Sequence, residues 1–196
     1  HGDQQFALFN AHYGDYGYQP LHLYEGQSGK LITTILRPGQ RPSGKQIVAI
    51  LKRLVSVIRA RWPKVQLLLR GDAHFSTPEV HAFCEAQTEP IYYVLGQSGN
   101  TVLKAKASYL VSQAQTLYRL QPSRHTHPHQ PVKIRLFTTF QYQASSWSQS
   151  RRIVCKVEVS EQGTNVRFVV TNLKHPRSQQ LYDLIYCGRG QMENFI

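Results

Sequence analysis

The sequence predicts an α/β protein in which alternating strands and helices are followed by an antiparallel meander and a final helix. Two changes of pattern indicate this. Up to about residue 120, short apolar runs alternate with segments whose apolar residues recur every three or four positions, which is typical of a layered α/β architecture. From about 133 to 173 the apolar period becomes two, which indicates antiparallel strands with short connections.

The first part of the chain contains a predicted hairpin and one long helix. Residues 18–25 and 30–37 are predicted strands, joined by the turn Gly26-Gln27-Ser28-Gly29. Ser43 and Gln46 then have the spacing of a capping box, and apolar residues at helical spacing follow until Trp62-Pro63. We therefore expect a helix from Ser43 to about Trp62.

A near-continuous apolar run at 65–69 predicts a strand buried on both faces of a mostly parallel sheet. Ser76 or Thr77 is expected to cap the next helix, and a strand at 91–96 and a helix at about 100–120 follow. Ligands of open α/β sheets bind beyond the carboxyl ends of the strands, and Asp72 lies at such an end. A single Asp in that place also commonly caps a loop, so it is only a candidate.

The meander carries basic residues on one predicted face and apolar residues on the other. If the polar sides of its strands align, five basic residues form one surface: Lys133, Arg135, Arg152, Lys156 and Arg167. Glu158 is the only acidic residue on the same predicted face. Solvated faces usually mix both signs of charge, so this surface is a candidate for nucleic-acid binding.

Composition points in the same direction. In 196 residues, Lys and Arg number 23 against 11 Asp and Glu, with a sequence pI near 9.8, which favours a polyanionic partner. Three cysteines without a CxxC spacing predict neither a disulfide framework nor a zinc site, and we expect a reducing, cytoplasmic setting. His125, His127 and His129 lie in a proline-rich stretch that is more typical of a solvated connection than of a metal site. No apolar run is long enough for a membrane helix.

The end of the chain sets Tyr186, Arg189 and Glu193 on one helical face as Y-x2-R-x3-E. Five further segments precede it in this order: HGDQQ at 1–5, LRPG at 36–39, LLLRGDAHF at 67–75, SSWSQSRRIVCKVE at 145–158 and RFVVTNL at 167–173. With these segments the sequence resembles the DDE transposases of bacterial insertion sequences, over essentially its whole length.

This resemblance implies an RNase H-like core, a mixed sheet flanked by helices, with an antiparallel β-rich insertion before the last helix. It divides the chain into a core at 1–120, an insertion subdomain at 121–178 and a catalytic helix at 179–196. It further implies DNA strand cleavage and strand transfer at insertion-sequence ends, with two Mg²⁺ (or Mn²⁺) ions. Double-stranded DNA is the expected partner, a homodimer is expected when two ends are synapsed, and the expected location is the bacterial cytoplasm, at the nucleoid.

By the same resemblance, Asp72 is the second catalytic, metal-binding acid and Glu193 the third. Tyr186 and Arg189 are expected to steady the last helix and contact DNA phosphate. Trp147 is a candidate for stacking on a flipped base, although burial in the meander is the more usual fate of a tryptophan. His74, where the family commonly has Ser, is a candidate neighbour of the site.

The sequence departs from the family pattern at one important place. The first catalytic Asp of the family lies just upstream of HG-x-Q, and this chain begins at His1 of that motif; neither Asp3 nor Asp15 occupies the matching position. We therefore expect two of the three acids in this chain, and no activity from it alone. Two other interpretations remain open at this point: a hydrolytic nuclease with the same fold, and a non-catalytic DNA-binding protein.

Overall fold

The computed structural model describes residues 7–11, 14–121 and 132–190. Asp3, the three histidines at 125, 127 and 129, and Glu193 lie outside these ranges. The elements found in the described ranges are, in chain order, β1 (Leu8–Asn10), β2 (Asp15–Gly17), β3 (Leu21–Tyr24), β4 (Leu31–Ile35), α1 (Gly44–Arg61), β5 (Leu68–Gly71), α2 (Pro78–Glu85), β6 (Tyr92–Gln97), α3 (Thr101–Arg119), β7 (Ile134–Tyr142), β8 (Arg151–Ser160), β9 (Gly163–Thr171) and α4 (Ser178–Gln180).

A five-stranded mixed sheet in the order β5-β6-β9-β8-β7 forms the centre of the protein. β5 and β6 run parallel, and the three remaining neighbour pairs are antiparallel. The predicted mixed sheet with flanking helices is confirmed. The meander β7 to β9 extends the sheet that carries β5 and β6, since β9 pairs directly with β6. The division of the chain at 120 and 178 stays a prediction.

Local capping signals fix where the helices begin. Ser43 accepts a hydrogen bond from the Gln46 backbone N–H while the Gln46 side chain accepts one from the Ser43 N–H, so α1 begins with the predicted capping box. Thr77 caps α2, with Pro78 at its first position, and Asn100 caps α3. Each cap satisfies backbone donors that the first helical turn leaves free.

Helices cover both faces of the sheet. On one face, buried residues of α1, α2 and α3, such as Leu51, Val80 and Leu103, share a core with Ile153 and Val157 of β8. On the other face, Leu181 and Tyr182 pack on Val94, Val154 and Val169. Leu181 and Tyr182 belong to a π-helical stretch, Leu181–Tyr186, which continues α4 and is followed by a 3₁₀ turn at 187–190. We call residues 178–190 the C-terminal helix.

The prediction for β5 was partly wrong. The strand begins at Leu68, three residues later than expected, and Leu68 is 44% exposed. In the described ranges β5 pairs only with β6, so it lies at the end of the sheet, where covering elements protect it less than they protect a central strand. Of the strand pairs in the part of the chain that the structure describes, one is parallel and the others in this sheet are antiparallel, so this sheet is not mostly parallel either.

Within the described residues, no helix is long and apolar enough to cross a membrane.

Candidate active site around Asp72

Asp72 directly follows β5, at the carboxyl end of the only parallel strand pair found in the described ranges. Its side chain is 45% exposed, so solvent and a ligand can reach it. Its Oδ1 accepts a hydrogen bond from the backbone N–H of His74 (2.9 Å), and Oδ2 lies 3.1 Å from His74 Nδ1. A carboxylate has about four lone-pair sites, so these two contacts orient it without saturating it.

Gly96 allows the C-terminal helix to approach Asp72. A Cβ added at Gly96 would lie 2.6 Å from Tyr186 Oη, 3.0 Å from the Ala73 nitrogen and 3.2 Å from the Asp72 carbonyl carbon. The Tyr186 phenol and the Asp72 backbone therefore meet at a point that only glycine leaves open. Two residues 114 positions apart in sequence are neighbours here.

Arg189 joins this arrangement through Tyr186. Its Nη2 donates a hydrogen bond to Tyr186 Oη (3.1 Å), and its guanidinium lies over the Tyr186 ring at 4.6 Å from the centroid. Arg189 Nε is buried and has no hydrogen-bond partner among the described residues. Tyr186 and Arg189 thus form a contacting pair beside Asp72, and their contact with DNA phosphate stays a prediction.

Arg70 ties the strand of Asp72 to two other parts of the chain. Its Nη1 donates to the Ile185 carbonyl oxygen (3.4 Å) and its Nη2 to the Gly26 carbonyl oxygen in the β3–β4 turn (3.2 Å). A Cβ at Gly188 would lie 3.0 Å from Arg70 Nη1, so this glycine permits close packing. π-Helical turns occur often at functional sites, and the last π-helical residues contact both Arg70 and Gly96.

Glu193, the predicted third acid, lies outside the described residues. Among the residues that the structure describes, no group of three or more His, Cys, Asp or Glu side chains comes together to hold a metal ion. Asp72 is chemically suited to Mg²⁺, which prefers carboxylate and water oxygens. Its pairing with Glu193 stays a prediction.

The five basic residues predicted on one face of the meander do lie on one face, which is the face covered by the C-terminal helix. The C-terminal helix covers part of this face, so not all of these residues are open to solvent. Lys156 is only 7% exposed; its Nζ lies 3.2 Å from Glu158 Oε2 and over the Tyr182 ring, 5.4 Å from the centroid. A buried, paired ammonium is not available to a phosphate.

Arg152 is also engaged within the protein. Its donors reach the carbonyl oxygens of Leu173 and Lys174, both at 3.0 Å, and that of Pro176 at 3.1 Å. Arg135 pairs with Asp183 and Glu158. Arg152 thus ties β8 to the segment that leads into the C-terminal helix, and Lys156 is paired with Glu158 beneath Tyr182, so the predicted DNA contacts of these two residues are corrected. DNA contact by Lys133, Arg135 and Arg167 stays a prediction.

Trp147 is buried on the opposite side of the sheet, with 6% of its surface exposed. It packs edge-on against His81 (5.1 Å) and Tyr142 (5.4 Å), and the Arg151 guanidinium lies 5.2 Å from its ring centroid. Burial, followed by the charge of Arg151, lowers the pKa of His81 to about 4, so this ring is neutral in the core. Base stacking by Trp147 was wrong, and its burial is confirmed.

Three residues near Asp72 were not predicted from the sequence. Arg70 lies inside the LLLRGDAHF segment, Gly96 is the next-to-last residue of β6, and Arg41 donates to the Ala73 carbonyl oxygen at 3.0 Å. Only Arg70 carried a signal, its place in a family segment. The other two contacts depend on tertiary approach, which no local pattern encodes.

Filling the space at Gly96 is expected to separate Tyr186 from Asp72. Overpacking costs about 1–3 kcal/mol, so Gly96→Ala should lower the free energy of unfolding by that amount in urea titrations. Because the nearest atom is Tyr186 Oη, Tyr186→Phe in the same chain should restore part of the loss. Gly17→Ala, with open space at its Cβ position, is the matched control. Strictly additive effects of Gly96→Ala and Tyr186→Phe would contradict this packing.

The whole sequence matches a known protein family. Residues 1–196 match the family described as "Transposase DDE domain group 1". No curated protein and no solved structure matches the chain. Since the match spans all 196 residues, the chain belongs to the transposase DDE domain family.

Proposed function

We propose that the protein cuts DNA at the ends of an insertion sequence and joins the freed 3′ hydroxyl to a target strand. Asp72 and Glu193 would hold divalent metal, with the first catalytic Asp of the family as the third ligand. When bound, two Mg²⁺ or Mn²⁺ ions would supply the positive charge that activates the attacking oxygen and stabilises the leaving one. The proposed partner is double-stranded DNA. A homodimer would bring two DNA ends together, and the reaction would take place at the nucleoid.

One observation carries the proposal: the Tyr186–Arg189 pair lies against the backbone of Asp72, at the position of Gly96. This brings two separate family segments, LLLRGDAHF and YCGRG, to one place. The half-exposed carboxylate of Asp72 keeps lone pairs free for a cation. A hard cation with oxygen ligands fits such a group.

The protein's own residues would then bind and orient the DNA. An Arg guanidinium offers two parallel donors that match two phosphate oxygens, and the guanidinium of Arg189 lies over the Tyr186 ring and is hydrogen-bonded to its hydroxyl. Tyr186 would hold Arg189 at a set distance from Asp72. His74 would keep the carboxylate turned towards the scissile phosphate through its two contacts to Asp72.

The proposal is tested with the full-length protein, a labelled duplex that ends in its own element's terminal sequence, and a target plasmid. With Mg²⁺ we expect the labelled strand to become covalently joined to the plasmid, and no joining in EDTA. A donor duplex with a 3′-dideoxy end is the matched control, because it binds but lacks the attacking hydroxyl. Cut strands without joined product would favour the hydrolytic nuclease instead, and metal-independent products would overturn both.

A further inference from the structure

Helix α1 exposes a basic face that contains no acidic residue. The helix carries five Lys or Arg residues and no Asp or Glu in its 18 residues. Its buried side is formed by Gly44, Ile47, Leu51 and Val55. The opposite side is exposed, and at helical spacing it presents Lys45, Ala49, Lys52, Arg53 and Ser56. We call these five residues the α1 basic face.

The cations of the α1 basic face are not engaged in ion pairs with described residues. Lys45, Lys52 and Arg53 are all exposed, and none takes part in a salt bridge within residues 7–11, 14–121 and 132–190. This is the reverse of the meander face, where Lys156 and Arg152 are held by Glu158 and by backbone carbonyls. Solvated helix faces usually mix both signs, so an acid-free face is unusual.

The helix that carries the α1 basic face begins next to the loop that follows Asp72. Arg41, three residues before the helix, donates to the Ala73 carbonyl oxygen, and a Cβ at Gly44 would collide with Thr77 Oγ1 and with the Glu79 carboxylate. The first turn of α1 therefore packs on the loop that follows Asp72. From there the helix extends about 27 Å, at 1.5 Å per residue. The face is thus a track of positive charge that leads away from the candidate active site.

We propose that the α1 basic face binds the phosphate backbone of the DNA duplex whose scissile bond lies at Asp72. This inference rests on the proposed function. Ala49 and Ser56, between the cations, are small enough to let a backbone come close. None of these five residues has a large apolar side chain. Val57, which is 67% exposed, lies beside the face, but a single valine offers too little apolar area to anchor a protein or a membrane, which are the alternatives for an exposed helix. Charge without apolar anchors is the pattern of sequence-independent phosphate contact.

The test compares two triple variants of the full-length protein that remove equal charge. One is Lys45→Gln with Lys52→Gln and Arg53→Gln. The other, on α3, is Lys104→Gln with Lys106→Gln and Arg119→Gln; these residues are exposed too, but α3 packs on β7 and β8, at the far end of the sheet from β5. Gln is close to Lys and Arg in helix propensity, so both helices should persist, which circular dichroism checks.

The readout is the affinity for a non-specific duplex at several salt concentrations. Three lost phosphate contacts should lower the slope of log K against log salt by about 2.7 for the α1 triple variant, at about 0.9 per contact. The α3 triple variant should keep the wild-type slope. Equal slopes in the α1 variant and the wild type, or an equal fall in both variants, would overturn the inference. Absence of binding by the wild type would instead overturn the proposed function.

Discussion

Asp72→Asn in the full-length protein is expected to lower the rate of DNA cleavage about 10³-fold. A bound divalent cation stabilises the charge that develops in phosphoryl transfer by several kcal/mol, and about 4 kcal/mol corresponds to that factor. Asn keeps the shape of the side chain and can still accept the hydrogen bond from the His74 N–H. What it removes is the negative charge that would hold the metal, so the loss should fall on catalysis.

Two further measurements separate this role from a structural one. The affinity for Mn²⁺, measured by electron paramagnetic resonance without DNA, should fall in Asp72→Asn. The affinity for a DNA duplex should stay within about twofold, which corresponds to about 0.4 kcal/mol in binding free energy. Asp15→Asn is the matched control, because Asp15 is an exposed carboxylate on β2 whose Oδ1 accepts from the Tyr16 N–H. Full cleavage by Asp72→Asn, or equal losses in both variants, would remove Asp72 from the catalytic residues.

Sequence patterns were sufficient where the determinant is local. The start of α1 follows from Ser43 and Gln46, whose side chains and backbone bond to each other within one turn. The two faces of the meander follow from strict alternation, and the observed register places Lys156 opposite Arg167 as that alternation requires. In both cases the relevant contacts lie within a few residues or between adjacent strands.

Sequence patterns were insufficient where the exposure of a residue depends on which other element packs over it. Nothing in the alternation of β8 indicates that the C-terminal helix lies on its basic side, yet that helix makes Lys156 a buried ion-pair partner. Trp147 likewise is interior because α2 brings His81 against it. The neighbourhood of Asp72 and Tyr186 had a signal only through the family resemblance, since their meeting depends on Gly96 and on a π-helical turn.

The second large effect is expected at a buried ion pair far from the candidate active site. The Arg151 side chain is 3% exposed and bonds Glu85 through two donors, Nε to Oε1 at 2.8 Å and Nη2 to Oε2 at 2.7 Å. Tyr93 and Gln149 donate to the same carboxylate. This network joins α2, β6 and β8, so its loss should loosen one whole face of the sheet.

Arg151→Met is expected to lower the free energy of unfolding of the chain by about 3 kcal/mol, because it leaves the Glu85 carboxylate largely buried without its cation. Urea titration followed by circular dichroism measures this. Lys133→Met is the matched control: Lys133 pairs with Glu158 at 3.6 Å but is 48% exposed, and an exposed pair contributes at most about 1 kcal/mol. Equal losses of unfolding free energy in the two variants would show that the network at Glu85 stabilises the fold no more than an exposed ion pair does.

The pH dependence gives an independent check of the same pair. Burial alone raises the pKa of Glu85, but the hydrogen bonds from Arg151, Tyr93 and Gln149 outweigh it, and the net pKa lies below the ordinary value of 4.5. A carboxyl group whose pKa is lower in the folded state stabilises the fold above its unfolded pKa, and this contribution is lost as the pH falls through the folded value. The free energy of unfolding of the wild type should therefore fall below pH 4.5 more steeply than that of Arg151→Met. The difference in unfolding free energy between the two proteins should narrow in acid. A difference that stays constant from pH 7 to pH 3 would mean, by linkage, that Arg151 does not set the pKa of Glu85.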